Sequence, residues 1–413
     1  MNNHINQTSL KEEVQKIVLE EMDLSRDPSD EEIYKTIDRI LVEKGKKRYV
    51  SLKEKRELRK EIFNSIRKLD VLQDLIDDPL ITEIMVNGPN KIFVEKNGTI
   101  YPKDIKFSSE GKLENIIQQM VAGSNRIINE ANPIVDARLR DGSRINIVLP
   151  PVAIDGAMVT IRKFPSNPIT MEQLLKYESI TEEAVEFLKE LVIAGYNIFI
   201  SGGTGSGKTT FLNVLSNFIP SNERIITIED SAELQIRNIP NLVRMEVRKA
   251  NTEGLNEISI RDLIKTALRQ RPDRIIVGEI RDGAAFDMLQ AFNTGHDGSL
   301  STGHANSPKD MLSRLESLVL MGADIPLLSV QKQMASAIDI IVHLGRLRDR
   351  SRRVLEITEI IGFDKGDIKL NPIYRFVEKG ESDGRVIGSL EKVNELLHID
   401  KLIKAGLRGS SDR

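Results

Sequence analysis

The spacing of apolar and polar residues changes along the chain and predicts different structures in successive regions. Residues 1–68 are rich in charge and poor in glycine and proline, and their pattern is helical. Over residues 69–164, apolar and polar positions alternate around Asn-Gly and Gly-Pro turns, with one helical stretch between them, which predicts an α+β domain with antiparallel strands. Residues 165–180 hold two prolines and indicate a linker.

Beyond the linker, over residues 181–413, short apolar runs alternate with helical patterns. The predicted strands are YNIFIS, RIITIED, RIIVGEI and AIDIIVHLG. Strands that alternate with helices form a parallel sheet whose faces are covered by those helices. The fold class that we expect is therefore α/β, preceded by an N-terminal α+β domain and an N-terminal helical region.

Composition excludes several kinds of protein. The 413 residues include no cysteine, which excludes disulfide bonds, thiolate zinc sites and cysteine nucleophiles. There is no run of about 18 apolar residues, and the N-terminus lacks the basic and apolar segments of a signal peptide. The formal net charge of -3 gives no general attraction to nucleic acid. We expect a cytoplasmic protein that reaches a membrane only through partners.

Charge is distributed unevenly within the helical N-terminal region. Residues 1–42 hold ten acidic and five basic side chains, whereas residues 43–68 hold four acidic and eleven basic ones. Such runs are often solvated helix faces. The alternative is a docking arm whose basic half meets a partner or lipid headgroups.

The segment SGGTGSGKTTFLNVLSNFI contains the pattern G-x-x-x-x-G-K-[ST] between a predicted strand and a predicted helix. Its glycines let backbone N–H groups wrap phosphate oxygens at the positive end of the helix. We expect Lys208 to reach the β and γ phosphates of ATP and Thr209 to hold Mg²⁺. The predicted nucleotide-binding residues are Gly202, Gly203, Thr204, Gly205, Ser206, Gly207, Lys208, Thr209 and Thr210. The alternative is a glycine-rich turn that only begins a helix.

A phosphate loop needs carboxylates near the metal ion and the attacking water. Glu229 and Asp230 end one predicted strand, and Glu279 ends another, where Gly278 occupies the usual position of an aspartate. We expect Glu279 to orient water or Mg²⁺, and Glu229 to position water or act as the general base beside the metal ion. These two roles could be exchanged. The alternative is a pair of ordinary strand-end carboxylates.

His296 and His304 lie eight residues apart in the segment TGHDGSLSTGHANSP. A zinc site needs three or four ligands, and the remainder of the chain offers three histidines and no cysteine. Two other interpretations are a core histidine and a sensor that donates to the γ-phosphate and changes rotamer when the phosphate leaves. Because SLSTGHA predicts a strand that ends at His304, we expect His304 to contact the phosphate and His296 to face a subunit interface.

Four motifs in this order carry a family resemblance. GGTGSGKTT, ITIEDSAEL, RPDRIIVGEIRD and TGHDGSLSTGHANSP resemble the Walker A, Asp box, Walker B and His box of the type II and type IV secretion and pilus ATPase superfamily. The N-terminal strings ITEIMVNGPNKIFVEKNG, DARLRDGSRINIVLPP and TIRKF look like the tight-adherence (Tad) pilus branch of the CpaF/TadA type. The glycine in the Walker B strand is itself typical of the superfamily. The resemblance spans roughly residues 70–365.

The resemblance implies a homohexameric ring. Each subunit would pair a PAS-like N-terminal domain with a RecA-like ATPase domain and bind ATP between the two. Hydrolysis would move an inner-membrane platform protein that extrudes pilin, so we expect a cytoplasmic motor at the inner membrane and no nucleic-acid partner. The chain departs from the Tad branch at Arg140, where proline is frequent.

Arginines suit the γ-phosphate, because the guanidinium is always charged and binds two oxygens at once. Similar ATPases supply such arginines from the N-terminal domain. Carried over by motif, Arg144 in DGSRIN and Arg162 in TIRKF are the candidates, and Arg138 is a further one. The alternative for each is a surface salt bridge. Three other arginines flank Walker B and could reach a neighbouring subunit: Arg269, Arg271 and Arg281.

The leading function from the sequence is an ATP-driven motor for pilus assembly or secretion. The absence of LSGGQ and NKxD disfavours ABC transporter ATPases and GTPases. A nucleotide-binding scaffold with little turnover is one alternative. A RecA-like DNA translocase is another, although 4% aromatic residues and no tryptophan offer little for stacking on single strands.

Overall fold

The computed structural model describes residues 2–22, 27–96, 98–123, 126–164, 168–250 and 255–409. The chain forms two compact units, residues 1–166 and 167–413. Within the described residues, no helix is long and apolar enough to cross a membrane.

The first unit begins with three helices: α1 (Asn2–Glu21), α2 (Asp30–Lys47) and α3 (Leu52–Arg67). Ser29 and Ser51 begin α2 and α3 with capping boxes, in which each serine is matched by a glutamate three residues later. Apolar side chains of all three helices form a separate core, and the rings of Tyr34 and Phe63 stack at 4.1 Å within this bundle. The helical pattern of the N-terminal region therefore corresponds to a packed three-helix bundle.

The remainder of the first unit is an α+β domain. Its elements are a 3₁₀ turn (Asp70–Leu72), α4 (Gln73–Asp77), β1 (Ile81–Asn87), β2 (Ile92–Lys96), β3 (Thr99–Lys103), α5 (Glu110–Ala122), β4 (Ile134–Arg138), β5 (Arg144–Val148) and β6 (Met158–Arg162). The strands form one antiparallel sheet in the order β3-β2-β1-β6-β5-β4. The apolar face of α5 packs in the core of this sheet. This is the expected α+β, PAS-like domain.

The second unit is an α/β domain. Its helices are α6 (Met171–Lys176), α7 (Glu182–Ile193), α8 (Lys208–Ser216), α9 (Ile260–Ala267), α10 (Ala284–Phe292), α11 (Pro308–Gly322), α12 (Leu327–Ala337) and α13 (Asp400–Lys404). Its strands are β7 (Ile198–Gly202), β8 (Ile225–Glu229), β9 (Leu242–Glu246), β10 (Arg274–Val277), β11 (Leu300–His304), β12 (Ile340–Arg346), β13 (Arg352–Asp364), β14 (Asp367–Ser382) and β15 (Arg385–Lys392). They form a single sheet in the order β15-β14-β13-β12-β7-β11-β10-β8-β9. Two apolar clusters form the core of this unit.

Six neighbouring strands of this sheet, β12-β7-β11-β10-β8-β9, are parallel. This arrangement confirms the expected RecA-like α/β fold. Four of these strands are buried: every residue of β7, β8 and β10, and every residue of β11 except His304. Such burial is expected of strands that are covered on both faces. β11 lies between β7 and β10. The carboxyl ends of β7, β11 and β10 therefore meet at one edge of the sheet, and that edge holds the candidate site.

Two features differ from the sequence expectation. The sheet is not wholly parallel, because β13, β14 and β15 extend it as an antiparallel meander, and β9 is an additional edge strand. The segment 165–180 that indicated a linker includes α6, which packs Met171 and Leu174 into the core of the second unit. Residues 165–167 of that segment lie outside the described residues.

Candidate functional site

The loop that follows β7 has the backbone of a phosphate-binding loop. Gly202 ends β7 and Gly207 caps α8 with φ 95°, a left-handed conformation that favours glycine. A Cβ at Gly202 would lie 2.4 Å from the carbonyl oxygen of Leu344, so a larger residue would push the loop away from its neighbouring strand. Between them, Gly203, Thr204 and Gly205 are exposed, whereas Ser206 is buried; Thr209 and Thr210 lie half-buried in the first turn of α8. All nine predicted nucleotide-binding residues therefore belong to this strand, loop and helix start.

Lys208, the first residue of α8, is buried and turned back toward the loop. Its ammonium donates to the carbonyl oxygen of Gly203 at 3.0 Å and lies 3.2 Å from Nδ1 of His304. Burial lowers the pKa of Lys208, and the carboxylate of Glu279 opposes that shift. The cation is thus held at the loop by two polar neighbours and by the negative charge at the end of β10.

His304 joins the loop to the acidic strand end, because it ends β11 between β7 and β10. Since an ammonium can only donate, Nδ1 of His304 accepts from Lys208 and the ring proton belongs on Nε2. Nε2 lies 2.8 Å from Oε1 of Glu279. Burial lowers the pKa of His304, so the imidazole is neutral at pH 7. A proton-bearing ring nitrogen therefore faces the carboxylate.

Glu279 follows β10 and is held from a second side by Arg281, whose guanidinium donates to Oε2 at 2.8 Å. Burial would raise the pKa of Glu279, but the hydrogen bond and charge of Arg281, with His304 and Lys208, outweigh it and leave the pKa below its ordinary value. The carboxylate is ionised at neutral pH. It can therefore accept a hydrogen bond from water or bind a cation.

Glu229 explains why a glycine stands in the Walker B strand. A Cβ at Gly278 would lie 3.0 Å from Cγ of Glu229, so the side chain of Glu229 occupies the space that an aspartate would need. Oε2 of Glu229 accepts from the backbone N–H groups of Glu233 and Leu234 at 2.7 and 2.9 Å. Burial raises the pKa of Glu229, and these two hydrogen bonds oppose the shift. The neighbouring Asp230 is exposed and lies 3.8 Å from Arg281.

Two buried oxygens at this edge of the second unit lack a hydrogen-bond partner among the described residues, Ser206 Oγ and Glu229 Oε1; Oε1 of Glu279 faces only the ring nitrogen of His304. Buried polar atoms are normally hydrogen-bonded, and an exception in a native structure needs an explanation. Carboxylate and hydroxyl oxygens are suitable ligands for Mg²⁺ and for the water around it. The donor set therefore fits Mg²⁺ and a phosphate chain, although no group of three or more His, Asp or Glu side chains that could hold a metal occurs in the described part of the chain.

Several predicted residues lie away from this edge. His296 precedes β11, whereas His304 ends it, so the strand separates the two histidines. Nδ1 of His296 is 3.1 Å from the carbonyl oxygen of Ala291. The turn that contains His296 also contacts α13, because Lys401 donates to the carboxylate of Asp297 at 2.9 Å. Exposed residues Arg269 and Arg271 lie before β10, at its amino end. Among the three arginines that flank Walker B, the structure brings Arg281 into the site.

The candidate arginines of the first unit form a row across its sheet. Arg138, Arg144 and Arg162 are direct neighbours in the register of β4, β5 and β6, and Glu83 of β1 pairs with Arg162. Like charges directly opposite each other on neighbouring strands are destabilising. The row is a candidate site for an anionic group, with the carboxylate of Glu83 at one end.

The β12–β13 hairpin contributes two residues that sequence reasoning missed. Arg352 donates from Nε to the carbonyl oxygen of Gly205 at 2.8 Å, in the middle of the loop. His343 is buried and lies 2.9 Å from the hydroxyl of Ser201, the β7 residue opposite it in register. The signal in the sequence was the arginine-rich turn GRLRDRSRR, but nothing local relates that turn to a loop 147 residues earlier.

Comparison with known proteins identifies the family. Residues 66–383 match the family Type II/IV secretion system protein. The chain belongs to this family. Over 312 residues it is 33% identical to the conjugal transfer protein TrbB of Rhizobium radiobacter, which covers 72% of the chain and 91% of TrbB. Over 338 residues it is 33% identical to the type IV secretion system protein VirB11 of Bartonella quintana (strain Toulouse), which covers 71% of the chain and 92% of VirB11.

The fold is similar to that of the ATPase DotB from Yersinia pseudotuberculosis. The TM-score is 0.52 at 19% sequence identity, over 71% of this chain and 78% of DotB. The likeness to DotB concerns the fold alone. Membership of the type II/IV secretion family makes this chain an ATPase that binds ATP. The relatives named above bear conjugal-transfer and type IV secretion names, so the tight-adherence branch stays a prediction.

Proposed function

We propose that this chain is an ATP-hydrolysing motor that works as a homohexamer on the cytoplasmic face of the inner membrane. It drives assembly of a tight-adherence type pilus, or secretion, by moving a membrane platform protein. The N-terminal motifs around DARLRDGSRINIVLPP support the pilus branch, and the names of the VirB11 and TrbB relatives support secretion. The exposed surface offers no general attraction to nucleic acid, because the net charge is -3.

One observation carries the proposal for hydrolysis: Lys208, His304, Glu279 and Arg281 form a continuous polar chain from the phosphate loop to the end of β10. A nucleotide-binding scaffold needs the loop but not an ionised carboxylate beyond it. Glu279 is held ionised at the carboxyl end of β10, on the sheet edge that also carries the phosphate loop. This arrangement suits the orientation of an attacking water.

In the proposed site the loop and Lys208 bind the phosphates, and the unpartnered oxygens of Ser206 and Glu229, with the carboxylate of Glu279, fit the surroundings of Mg²⁺. Thr209, Glu229 and Glu279 would hold that ion, which when bound neutralises phosphate charge. Glu279 and Glu229 share the positioning of water and the acceptance of its proton, and either could be the general base. The hydrogen bonds that Glu229 accepts from the backbone fix its carboxylate for this role.

His304 is proposed as the sensor of the γ-phosphate. Its ring contacts Lys208 on one side and Glu279 on the other, so a phosphate that attracts Lys208 changes both contacts. His296 and the turn around it, which is tied to α13, are proposed to face a subunit interface. Residues 297–299 and β11 link the two histidines along the chain.

Arg144 and Arg162, with Arg138 beside them, are proposed to reach the γ-phosphate from the N-terminal domain. This proposal divides the chain into a helical region 1–68, an α+β domain 69–164, a linker 165–180 and an ATPase domain 181–413. If closure of the N-terminal domain delivers these arginines, then domain movement and hydrolysis are coupled.

Nucleotide binding and turnover by the purified full-length chain test the proposal. Wild-type protein should hydrolyse ATP, lose that activity when EDTA removes Mg²⁺, and form particles of six times the 46.5 kDa chain mass. Lys208→Ala should lose ATP binding, because the phosphate loop loses its cation. Lys332→Ala, an exposed lysine on α12, is the control and should behave as wild type.

Two results would contradict the motor. Wild-type protein that binds ATP without measurable turnover would be a scaffold. Turnover that single-stranded DNA stimulates in a salt-dependent manner would indicate a nucleic-acid translocase.

A further inference from the structure

The turn between α2 and α3 concentrates positive charge at one end of the N-terminal bundle. We call residues 44–56, KGKKRYVSLKEKR, the basic tip; it holds seven lysines and arginines and one acidic residue. That acid, Glu54, is the capping-box residue of α3, and its carboxylate accepts from the backbone N–H of Ser51 at 2.8 Å. The single carboxylate of the tip is therefore hydrogen-bonded at the N-terminus of α3.

Most of this charge faces solvent. Lys46, Lys53 and Arg56 are exposed, whereas Lys44 is half-buried and pairs with Glu13. Basic side chains this dense repel one another, which is unfavourable unless an anionic partner screens them. The bundle does not need them for its core, which apolar residues of the three helices form on their own.

Two large apolar side chains stand exposed among these charges. Tyr49 in the turn is 90% exposed and Leu52, the first residue of α3, is 77% exposed. Single exposed apolar residues are common, but an aromatic and an aliphatic residue at the apex of a basic turn form a combined surface. Such a surface matches the membrane interface, where aromatic rings lie at headgroup level and lysines reach anionic headgroups.

We propose that the basic tip docks directly on an anionic lipid surface, with Tyr49 and Leu52 inserted among the headgroups. This goes beyond the proposed motor, in which attachment to the membrane runs through a platform protein. Nucleic acid fits less well, because single strands are bound along grooves by several stacking aromatic residues and the tip has one. An acidic protein would explain the charges but not the pair of exposed apolar residues at the apex.

Co-sedimentation of the full-length protein with lipid vesicles tests the charge component. Wild type should bind vesicles that contain phosphatidylglycerol and not vesicles of pure phosphatidylcholine, and binding should weaken as salt screens the surface. The triple variant Lys46→Gln/Lys53→Gln/Arg56→Gln should bind about a hundredfold more weakly, since each basic residue near an anionic surface contributes several-fold. These exposed positions are replaced without loss of core packing, and circular dichroism and ATP turnover confirm an intact fold.

A matched control removes the same charge elsewhere in the same unit. Lys91, Lys103 and Lys106 are exposed residues of the α+β domain. The variant Lys91→Gln/Lys103→Gln/Lys106→Gln should bind anionic vesicles as wild type does. Equal loss in both triple variants would overturn the proposal, because binding would then depend on total charge rather than on the tip.

The apolar component has its own readout, because the chain contains no tryptophan. The variant Tyr49→Trp places one indole at the apex. Its emission should shift to the blue with phosphatidylglycerol vesicles and be quenched by brominated lipid. An unshifted emission, wild-type binding to both kinds of vesicle alike, or retention on duplex DNA without vesicle binding would each overturn the lipid assignment.

Discussion

Gly278 illustrates how a single missing side chain arranges the acidic part of the site. The aspartate usual at this position would need the space that Glu229 occupies, since a Cβ at Gly278 lies 3.0 Å from Cγ of Glu229. The carboxylate beside Gly278 is thus supplied by Glu229 of β8 and not by a residue of β10. A larger side chain at this position would require Glu229 to shift, and the sequence alone gave no reason for the glycine.

Replacement of Gly278 by alanine should therefore reduce turnover. We expect Gly278→Ala to displace Glu229 and lower kcat by about a hundredfold, because small displacements of catalytic groups have effects of that size. The added methyl group should cost about 1–3 kcal/mol of stability. Steady-state ATPase kinetics and thermal unfolding measure the two effects.

The control for this prediction is Gly111→Ala in α5. A Cβ at Gly111 meets nothing within 4 Å, so alanine should stabilise the helix by roughly 0.5–1 kcal/mol and leave turnover unchanged. Normal kinetics for Gly278→Ala would show that Glu229 does not depend on the space at Gly278.

At the scale of elements, the β12–β13 hairpin supports the phosphate loop from outside. Arg352 at the start of β13 donates to the carbonyl oxygen of Gly205. Arg346 lies opposite Arg352 in the same hairpin. Arg348, in the turn of the same hairpin, instead pairs with Glu378 and Glu381 of β14.

Arg352→Ala should weaken ATP binding, because the loop loses a charged donor that orders it. We expect KM for ATP to rise about three- to tenfold, with kcat within about twofold, since the side chain is exposed and its bond is partly screened. Arg348→Ala, which removes a guanidinium paired with Glu378 and Glu381, is the matched control and should retain the wild-type KM. Similar effects of the two variants would mean that the hairpin acts through its overall charge.

The elements differ in how well the sequence predicts them. β7, β8, β10 and β12 could be predicted because buried parallel strands are continuous apolar runs that end in turn or charged residues. β13 to β15 were missed although DKG and DG turns separate them, because their mixed polarity resembles loops. β9 was missed for the same reason, since LVRME places charges within an edge strand.

The residues of the candidate site also differ in how well the sequence predicts them. The loop, Glu229, Glu279 and His304 could be proposed because each lies at a strand end or in a local motif. The polar chain through His304 could not, because it depends on β11 lying between β7 and β10, and strand order arises from distant contacts. Arg352 was missed for the same reason.

At the scale of the whole molecule, the account requires the two units to act on one nucleotide. In the first unit Arg138, Arg144 and Arg162 are direct neighbours in the register, and Glu83 lies opposite Arg162 at one end of the row. Under the proposed function, a nucleotide phosphate would be a further anion for these arginines. The ring, the domain closure and the hydrolysis step would then depend on one another.

Arg144→Ala tests this dependence. The variant should bind ATP normally but hydrolyse it at least about a hundredfold more slowly, because arginines that stabilise the transferred phosphate have effects of this size or larger. Arg140→Ala, at an exposed position of the same domain, is the control and should keep wild-type kinetics. Unchanged turnover in Arg144→Ala would remove this arginine from the site.

The most direct test of the central claim compares ATP binding and ATP turnover in Glu279→Gln. The amide keeps the size of the side chain but cannot accept a proton from water or attract a cation as a carboxylate does. The account predicts an ATP affinity within a few-fold of wild type and a turnover reduced by about a thousandfold, whereas Asp230→Asn at the exposed neighbouring carboxylate stays near wild type. Near-normal turnover in Glu279→Gln would contradict the assignment of this site as the centre of ATP hydrolysis.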